Sequence, residues 1–209
     1  MHTEPPDSRA PLLQARQLRS ERAGPIDFSL HPGETVCIVG RSGAGKSVFL
    51  RLLADLDPGE GGLTLEGVDR MAMDAPAWRR QVLYQAAEAT WWMPSFREHL
   101  HGDDVAQASA HMARLDLAPE LLDQPLAQLS TGQRQRLALV RSLAPAPRVL
   151  LLDEPTASLD ADSTARVEAL LKERCAAGCG VVWVTHSAEQ AARMGDRVLT
   201  LVSGKLSAP

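Results

Sequence analysis

The stretch VCIVGRSGAGKSVFLRLL, residues 36–53, decides how the chain reads. Val36 to Val39 form a short apolar run that stops at Gly40, the pattern of a buried strand. After a glycine-rich turn, Val48, Phe49, Leu50, Leu52, Leu53 and Leu56 take up helical spacing. Between them, Gly40-Arg41-Ser42-Gly43-Ala44-Gly45-Lys46-Ser47 matches the phosphate-loop pattern, in the strand-loop-helix setting that the pattern requires. The residue types carry the chemistry. Glycines let backbone N–H groups curve around a β-phosphate, and the helix N-terminus adds positive potential; Lys46 reaches the β/γ oxygens, and Ser47 offers a hydroxyl to Mg²⁺. The bland alternative is a glycine turn that only starts a helix, and the flanking elements weigh against it.

Outward from this loop the order is α/β. Gly61 to Asp69 alternates through Leu63, Leu65 and Val68 between glycines, a small β element feeding a strand at Val82 to Tyr84. Residues 88–135 change character, with short helical patches and His99, His101 and His111, and read as a helical insert. Regular alternation resumes with a helix near 133–144, a buried strand Val149 to Leu152 and a helix near 162–176. A strand Val181 to Thr185, a short helix after Ser187 and a strand Val198 to Val202 complete it.

Val149 to Leu152 run directly into Asp153 and Glu154, so two carboxylates emerge at the C-terminal end of a buried parallel strand, where open α/β sheets bind ligands. Asp153 is placed to organise Mg²⁺ through its shell, and Glu154 to polarise an attacking water as general base. An acidic helix cap would place the same pair there. His186 ends the strand Val181 to Thr185 at the same edge, in reach of a γ-phosphate; a lone histidine elsewhere would be an ordinary surface or core residue. Leu129-Ser130-Thr131-Gly132-Gln133 precedes a helix, and Ser130 is a natural N-cap. By physics alone that is a well-capped helix and nothing more.

Composition sets limits. The 209 residues suit one domain, or one core with a smaller lobe, and suffice for a large apolar centre. Hydrophobic residues make up 44% and charged residues 23%, and a net charge of −4 provides no field for drawing in nucleic acid, which is not an expected partner. Three cysteines, Cys37, Cys175 and Cys179, lack metal-ligand spacing beside histidines, and Cys37 sits in an apolar run, so a reducing, cytoplasmic setting is expected. The first residues lack a basic segment followed by an apolar one, and no run of transmembrane length occurs, so the chain is expected neither to be exported nor to span a membrane.

Over nearly its whole length the chain resembles the nucleotide-binding subunit of ATP-binding-cassette transporters. Gly40 to Ser47 looks like Walker A, Leu129 to Gln133 like the signature motif with Thr131 where glycine is commoner, and Val149 to Glu154 like Walker B. Ser158-Leu159-Asp160 looks like the D-loop and His186 like the switch histidine. Within the family the match is nearest to small bacterial single-cassette ATPases of the iron or metal-export type. The fold that the resemblance implies is α/β, a P-loop NTPase: a RecA-like parallel core (residues 1–87 and 136–209) with a small antiparallel β element, and an inserted helical subdomain (88–135) ending in the signature motif. It also implies an ATPase using ATP and Mg²⁺, in which two copies close head to tail. Ser130 and Gly132 of one copy would then bind the γ-phosphate held by the other's phosphate loop. Glu154 would hydrolyse it, and opening and closing would drive a separately encoded membrane permease from the cytoplasmic face of the inner membrane. Two rival classes remain in view: an ATP switch of the same fold acting in regulation or repair, and a phosphate-loop kinase for a small molecule. The kinase leaves Ser130 to Gln133 and His186 without roles.

Two departures from the family pattern stand out. Residues 12–27 contain no aromatic to stack on adenine; Phe28 reads as core, and Arg19 or Arg22 is left to cover the base by its guanidinium plane. Aligning Val82-Leu83-Tyr84 and Ser95 to Leu100 with the family places Ala87 where a metal-ligating glutamine usually stands, with Gln85 two residues early. Either Gln85 shifts by a local backbone change, or Glu88 substitutes, or the metal shell is looser. Trp91 and Trp92 then fall where the resemblance implies a groove for the permease, with one tryptophan in the core and one in the groove as the economical arrangement.

Overall fold

The computed structural model describes residues 10–207. It opens on an antiparallel hairpin, β1 (Leu13–Ser20) and β2 (Ala23–Leu30), whose alternate residues Leu13, Ala15, Ile26, Phe28 and Leu30 turn inward. Next come β3 (Thr35–Val39) and α1 (Lys46–Leu53), the strand and helix expected around the phosphate loop, except that the helix stops at Leu53 and leaves Leu56 outside it, 40% exposed. The glycine-flanked element is β4 (Glu60–Leu65) and β5 (Val68–Asp69). It does not feed the strand at Val82: β4 pairs antiparallel with β1, giving a four-stranded sheet in the order β2-β1-β4-β5.

Between them the chain makes α2 (Ala75–Gln81), which short length and a proline in the first turn hide from periodicity. Asp74 caps it through the Ala77 amide (2.6 Å), and Trp78, its one fully buried side chain, donates its indole N–H to the Leu53 carbonyl at 3.1 Å. Then follow β6 (Val82–Gln85), α3 (Asp104–Arg114), α4 (Thr131–Leu143), β7 (Val149–Asp153), α5 (Ala161–Ala176), β8 (Gly180–Val184), α6 (Ala188–Met194), β9 (Arg197–Val202) and β10 (Lys205–Ser207). The large sheet runs β10-β9-β3-β8-β7-β6, parallel throughout except for β10. This is a P-loop α/β core with a small antiparallel sheet, the class expected.

Because side chains alternate across a strand, each central strand divides its residues between two apolar layers. Val36, Ile38, Leu151 and Val182 join α1, Trp78 and the small sheet on one side. Cys37, Leu150, Leu152 and Trp183 join α4, α5 and α6 on the other. That second layer is continuous with Phe96, Met112 and Leu121, so the segment from 88 onward has no separate core. The boundary expected at 135 also falls inside α4: the Ser130 cap starts a helix whose Leu137, Leu139, Val140 and Leu143 are all fully buried. Cys37 and Cys179 lie in this layer as inert thiols, pushed up to about 12 mainly by burial. Among the described residues, no helix is long and apolar enough to cross a membrane.

Candidate functional site

The phosphate loop, the Asp153–Glu154 pair and His186 each lie at or just past the end of a parallel strand of the large sheet, whereas the signature segment starts α4. Beyond β3 the loop turns through Gly43 (φ 77°) and Gly45 (φ 100°), left-handed values that a side chain resists. Arg41, Ser42 and Ser47 are exposed, and Ala44 and Gly40 half-buried. Lys46 is buried and folds back, its ammonium donating to the carbonyls of Gly40 (2.8 Å) and Arg41 (3.1 Å). The ammonium is thus held against the turn that leads into α1, beside the helix N-terminus.

At the end of β7, Asp153 is 5% exposed and accepts from the Tyr84 hydroxyl at 3.2 Å. Burial, and then the carboxylate itself, push the Tyr84 phenol well above its ordinary pKa, so it stays a donor. Tyr84 is a site residue that sequence reading passed over; its signal was alternation, since Tyr84 and Asp153 belong to neighbouring strands. Glu154 follows in a left-handed conformation (φ 49°), secured by its amide on the Val184 carbonyl (3.0 Å) and its carbonyl accepting from the Ala157 amide (3.2 Å). Such strain in a non-glycine residue persists only where surroundings enforce it. It turns the carboxylate to His186, whose Nε2 lies 2.5 Å from Glu154 Oε1. Two residues 32 positions apart in sequence thus form one acid-base pair.

Gln85 occupies the last ladder position of β6, opposite Leu152 and beside the strand end that carries Asp153. The register correction is simple: the strand extends to Gln85, while Ala87 and Glu88 lie past it, on a cleft bounded by Thr131, Arg134 and Ser158. No backbone shift is needed to bring Gln85 to the edge. Gln85 is 4% exposed, and neither its Oε1 nor its Nε2 finds a partner among the described residues. Buried carboxamides are nearly always hydrogen-bonded, so this one keeps both polar atoms open to an added partner.

The signature segment forms a complete capping box. The Gln133 amide donates to Ser130 Oγ (3.2 Å), and the Ser130 amide to Gln133 Oε1 (2.8 Å). Gly132 is close to Leu159 and Ser158, where any added Cβ would be in contact. Asp160 caps α5, accepting from the Ser163 amide (2.7 Å) and hydroxyl (3.1 Å), which lowers its pKa. Of the two arginines proposed for the base, Arg19 is paired with Glu60 (2.6 Å). Arg22 lines the same cleft, with Val48 and Asp57. Phe28 is core as expected, edge-on to Phe49 at 5.4 Å.

Trp91 is partly buried against the core layer, while Trp92 is 64% exposed beside Met93. The Arg141 guanidinium lies 4.4 Å from the Trp91 ring centre and 4.9 Å from that of Trp92, within cation–π range. His99 secures the turn beneath. Its Nε2 accepts from the amides of Trp92 (3.2 Å) and Met93 (3.3 Å), and its Nδ1–H donates to the Ser95 carbonyl (2.8 Å). These bonds assign one neutral tautomer. Burial is the main force lowering the His99 pKa; Arg141 adds to it, and the Ser95 carbonyl and Glu98 oppose it. The neutral ring supports the turn at neutral pH, and that support is lost as acid forces a proton onto Nε2, below the ordinary value of 6.5. Amide hydrogen exchange at Trp92 and Met93 is expected to accelerate as pH falls from neutral to below the ordinary histidine value of 6.5, relative to His99→Gln, which has no proton to take up there. Equal exchange ratios across that range would refute it.

With the geometry in place, comparisons give consistent matches. The family profile described as ABC transporter matches residues 23–157. The chain is 38% identical over 94% of its length to protein STAR1 of Oryza sativa subsp. japonica, spanning 62% of that protein. It is 37% identical to the aliphatic sulfonates import ATP-binding protein SsuB 1 of Frankia alni over 87% of this chain and 66% of that one. With the phosphate import ATP-binding protein PstB of Aeropyrum pernix, identity is 38% over 87% of this chain and 81% of the other. The chain therefore spans just under two thirds of the first two relatives. Among solved structures, the ATP-binding subunit of an ABC transporter superposes with TM-score 0.82 at 21% identity, covering 94% of this chain and 90% of that one. A dimeric bacterial ABC transporter cassette superposes with TM-score 0.78 at 24% identity, covering 93% and 96%.

Proposed function

The chain belongs to the ABC transporter family, and from that premise we propose that it is an ATP-hydrolysing nucleotide-binding subunit that dimerises on ATP and drives a membrane component. The observation that carries the reading is the convergence of the Lys46 cradle, Asp153 and the Glu154–His186 pair at one edge of one sheet. Gly40 to Gly45 hold the phosphates through backbone amides and Lys46 neutralises them. Glu154 draws the proton from an attacking water, and His186 orients that carboxylate and meets the γ-phosphate.

The donor set fits magnesium: an exposed Ser47 hydroxyl, the Asp153 carboxylate and the orphaned Gln85 carboxamide are hard oxygen ligands. Magnesium, when bound, would neutralise charge building on the phosphates. In this reading Gln85, rather than Glu88, is the third protein group. The Ser130 cap and Gly132, with Thr131 and Gln133, present a helix N-terminus to the nucleotide of a second copy, placed head to tail, with Asp160 at the same seam. Each nucleotide would then be closed by both copies.

The membrane component is a separately encoded permease, met by the exposed Trp92 and Met93 over Arg141, with the protein peripheral on the cytoplasmic face of the inner membrane. Aromatic side chains of this kind, exposed but ordered by a stacked arginine, are the usual anchors of interfaces. The names of two relatives describe import of sulfonates and of phosphate. The reading is tested by phosphate release from ATP with no added acceptor, together with recovery of an integral membrane protein by the tagged chain. Trp92→Ala is expected to weaken that recovery about tenfold or more, a loss typical of interface hot spots, while ATP binding is unchanged. Full recovery with Trp92→Ala would reject this surface as the docking site.

A further inference from the structure

Behind the Glu154–His186 pair lies a buried polar network that the chemistry above does not use. Thr156, two residues beyond Glu154, and Thr185, one residue before His186, both bond to the side chain of Gln190 on α6. Gln190 is 7% exposed, Thr185 5% and Glu168 on α5 6%. The carboxamide orientation follows from its neighbours. Thr185 Oγ1 accepts from the Ser187 amide (3.1 Å), so its hydroxyl proton goes to Gln190 Oε1 (2.8 Å). Gln190 Nε2 then donates to Glu168 Oε1 and to Thr156 Oγ1, both at 3.0 Å. Glu168 is held ionised by a two-pronged contact from Arg193, at 2.8 Å to each oxygen.

We infer that Gln190 is a positioning residue: one carboxamide ties the segment after Glu154 to the segment before His186, and so sets the spacing of the acid-base pair. This rests on the hydrolase reading of that pair. A simple packing role does not require such a residue, because an apolar side chain would fill the space without a carboxylate and two hydroxyls to satisfy. Glu168 and Arg193 make the anchor stiff, since a bidentate ion pair resists rotation of either group. Thr156 and Thr185 follow different strands of the sheet, β7 and β8, which the ladder already holds side by side. Beyond the strand ends the ladder stops, and there Gln190 continues the cross-link through its side chain. Its bonds fall one residue from His186 and two from Glu154, where a small displacement of either partner would open the 2.5 Å pair.

The test is steady-state ATP hydrolysis by wild type, Thr185→Val, Thr185→Ser, Gln190→Leu and the Thr185→Val/Gln190→Leu double variant. Thr185→Val keeps the side-chain shape and removes the hydroxyl. It is expected to lower kcat about tenfold, the lower end of losses from groups supporting a reactive centre. KM for ATP should stay within about twofold, because the phosphate loop is untouched. Thr185→Ser should recover most of kcat. The double variant should be no slower than the worse single one, since both cut the same link. A kcat for Thr185→Val equal to wild type, or a loss in Thr185→Ser as large as in Thr185→Val, overturns the positioning role. Wild type releasing no phosphate from ATP overturns the hydrolase reading instead, so the two failures are separately visible. The Thr185 pair decides the matter even where Gln190→Leu lowers stability.

Discussion

Glu154→Gln is expected to abolish phosphate release from ATP, by about 10²- to 10⁴-fold, while nucleotide binding persists. The substitution keeps the size of the side chain and its place beside His186, but replaces the proposed base, a carboxylate, by a carboxamide that does not take up a proton from water. The left-handed backbone at Glu154 is secured by main-chain bonds to Val184 and Ala157, which glutamine leaves intact. The phosphate cradle, made of backbone amides and Lys46, is equally untouched. Bound ATP therefore outlives its normal turnover, and ATP-dependent dimers accumulate on size-exclusion chromatography. A kinase makes the opposite forecast: phosphate transfer to an acceptor would survive without a water-activating carboxylate. Full ATP hydrolysis by Glu154→Gln, or no dimer with ATP, would sink the proposed mechanism.

Gln85→Leu is expected to move stability and activity in opposite directions. Two buried carboxamide atoms without partners weigh on the nucleotide-free fold, by about 1–3 kcal/mol for an unsatisfied group. Leucine is one bond shorter but similar in volume and has no polar atoms, so the free protein should melt higher, by roughly 2–4 °C per kcal/mol recovered in a chain of this size. Hydrolysis should fall about 10- to 100-fold, the scale of losing a group that supports a metal centre. Differential scanning calorimetry without nucleotide and a steady-state assay with Mg-ATP measure the two halves independently. A lower Tm with unimpaired hydrolysis would show that Gln85 is an ordinary core residue.

The phosphate loop, the carboxylate strand and the His186 strand end were all legible in the sequence, because each is a short local pattern in a diagnostic order. Ser130 was legible as a cap for the same reason. What periodicity missed was short or non-local. Helix α2 has only seven residues, and Trp78 alone of its side chains is buried. The pairing of β4 with β1 depends on a partner some fifty residues away, which no local pattern reports. The choice between Gln85 and Glu88 was left open by counting from motifs on both sides; the strand ladder, which sets Gln85 opposite Leu152, is a tertiary fact. Tyr84, Thr185 and Gln190 are equally invisible one at a time, since their meaning lies in whom they touch.

Helix α4 joins the two ends of the problem. It runs from Thr131 to Leu143, about 20 Å at the usual rise per residue, with neither proline nor glycine beyond its first turn to act as a hinge. At its head is the Ser130 cap; one turn in, Gln135 donates to the Pro155 carbonyl just past Glu154 at 3.2 Å; near its tail, Arg141 supports both tryptophans. A bar fastened at these points transmits its stroke whole. In the proposed head-to-tail dimer, travel imposed on its head by a neighbour's nucleotide would reach the Trp92 platform at the same amplitude, because one unbroken helix carries both.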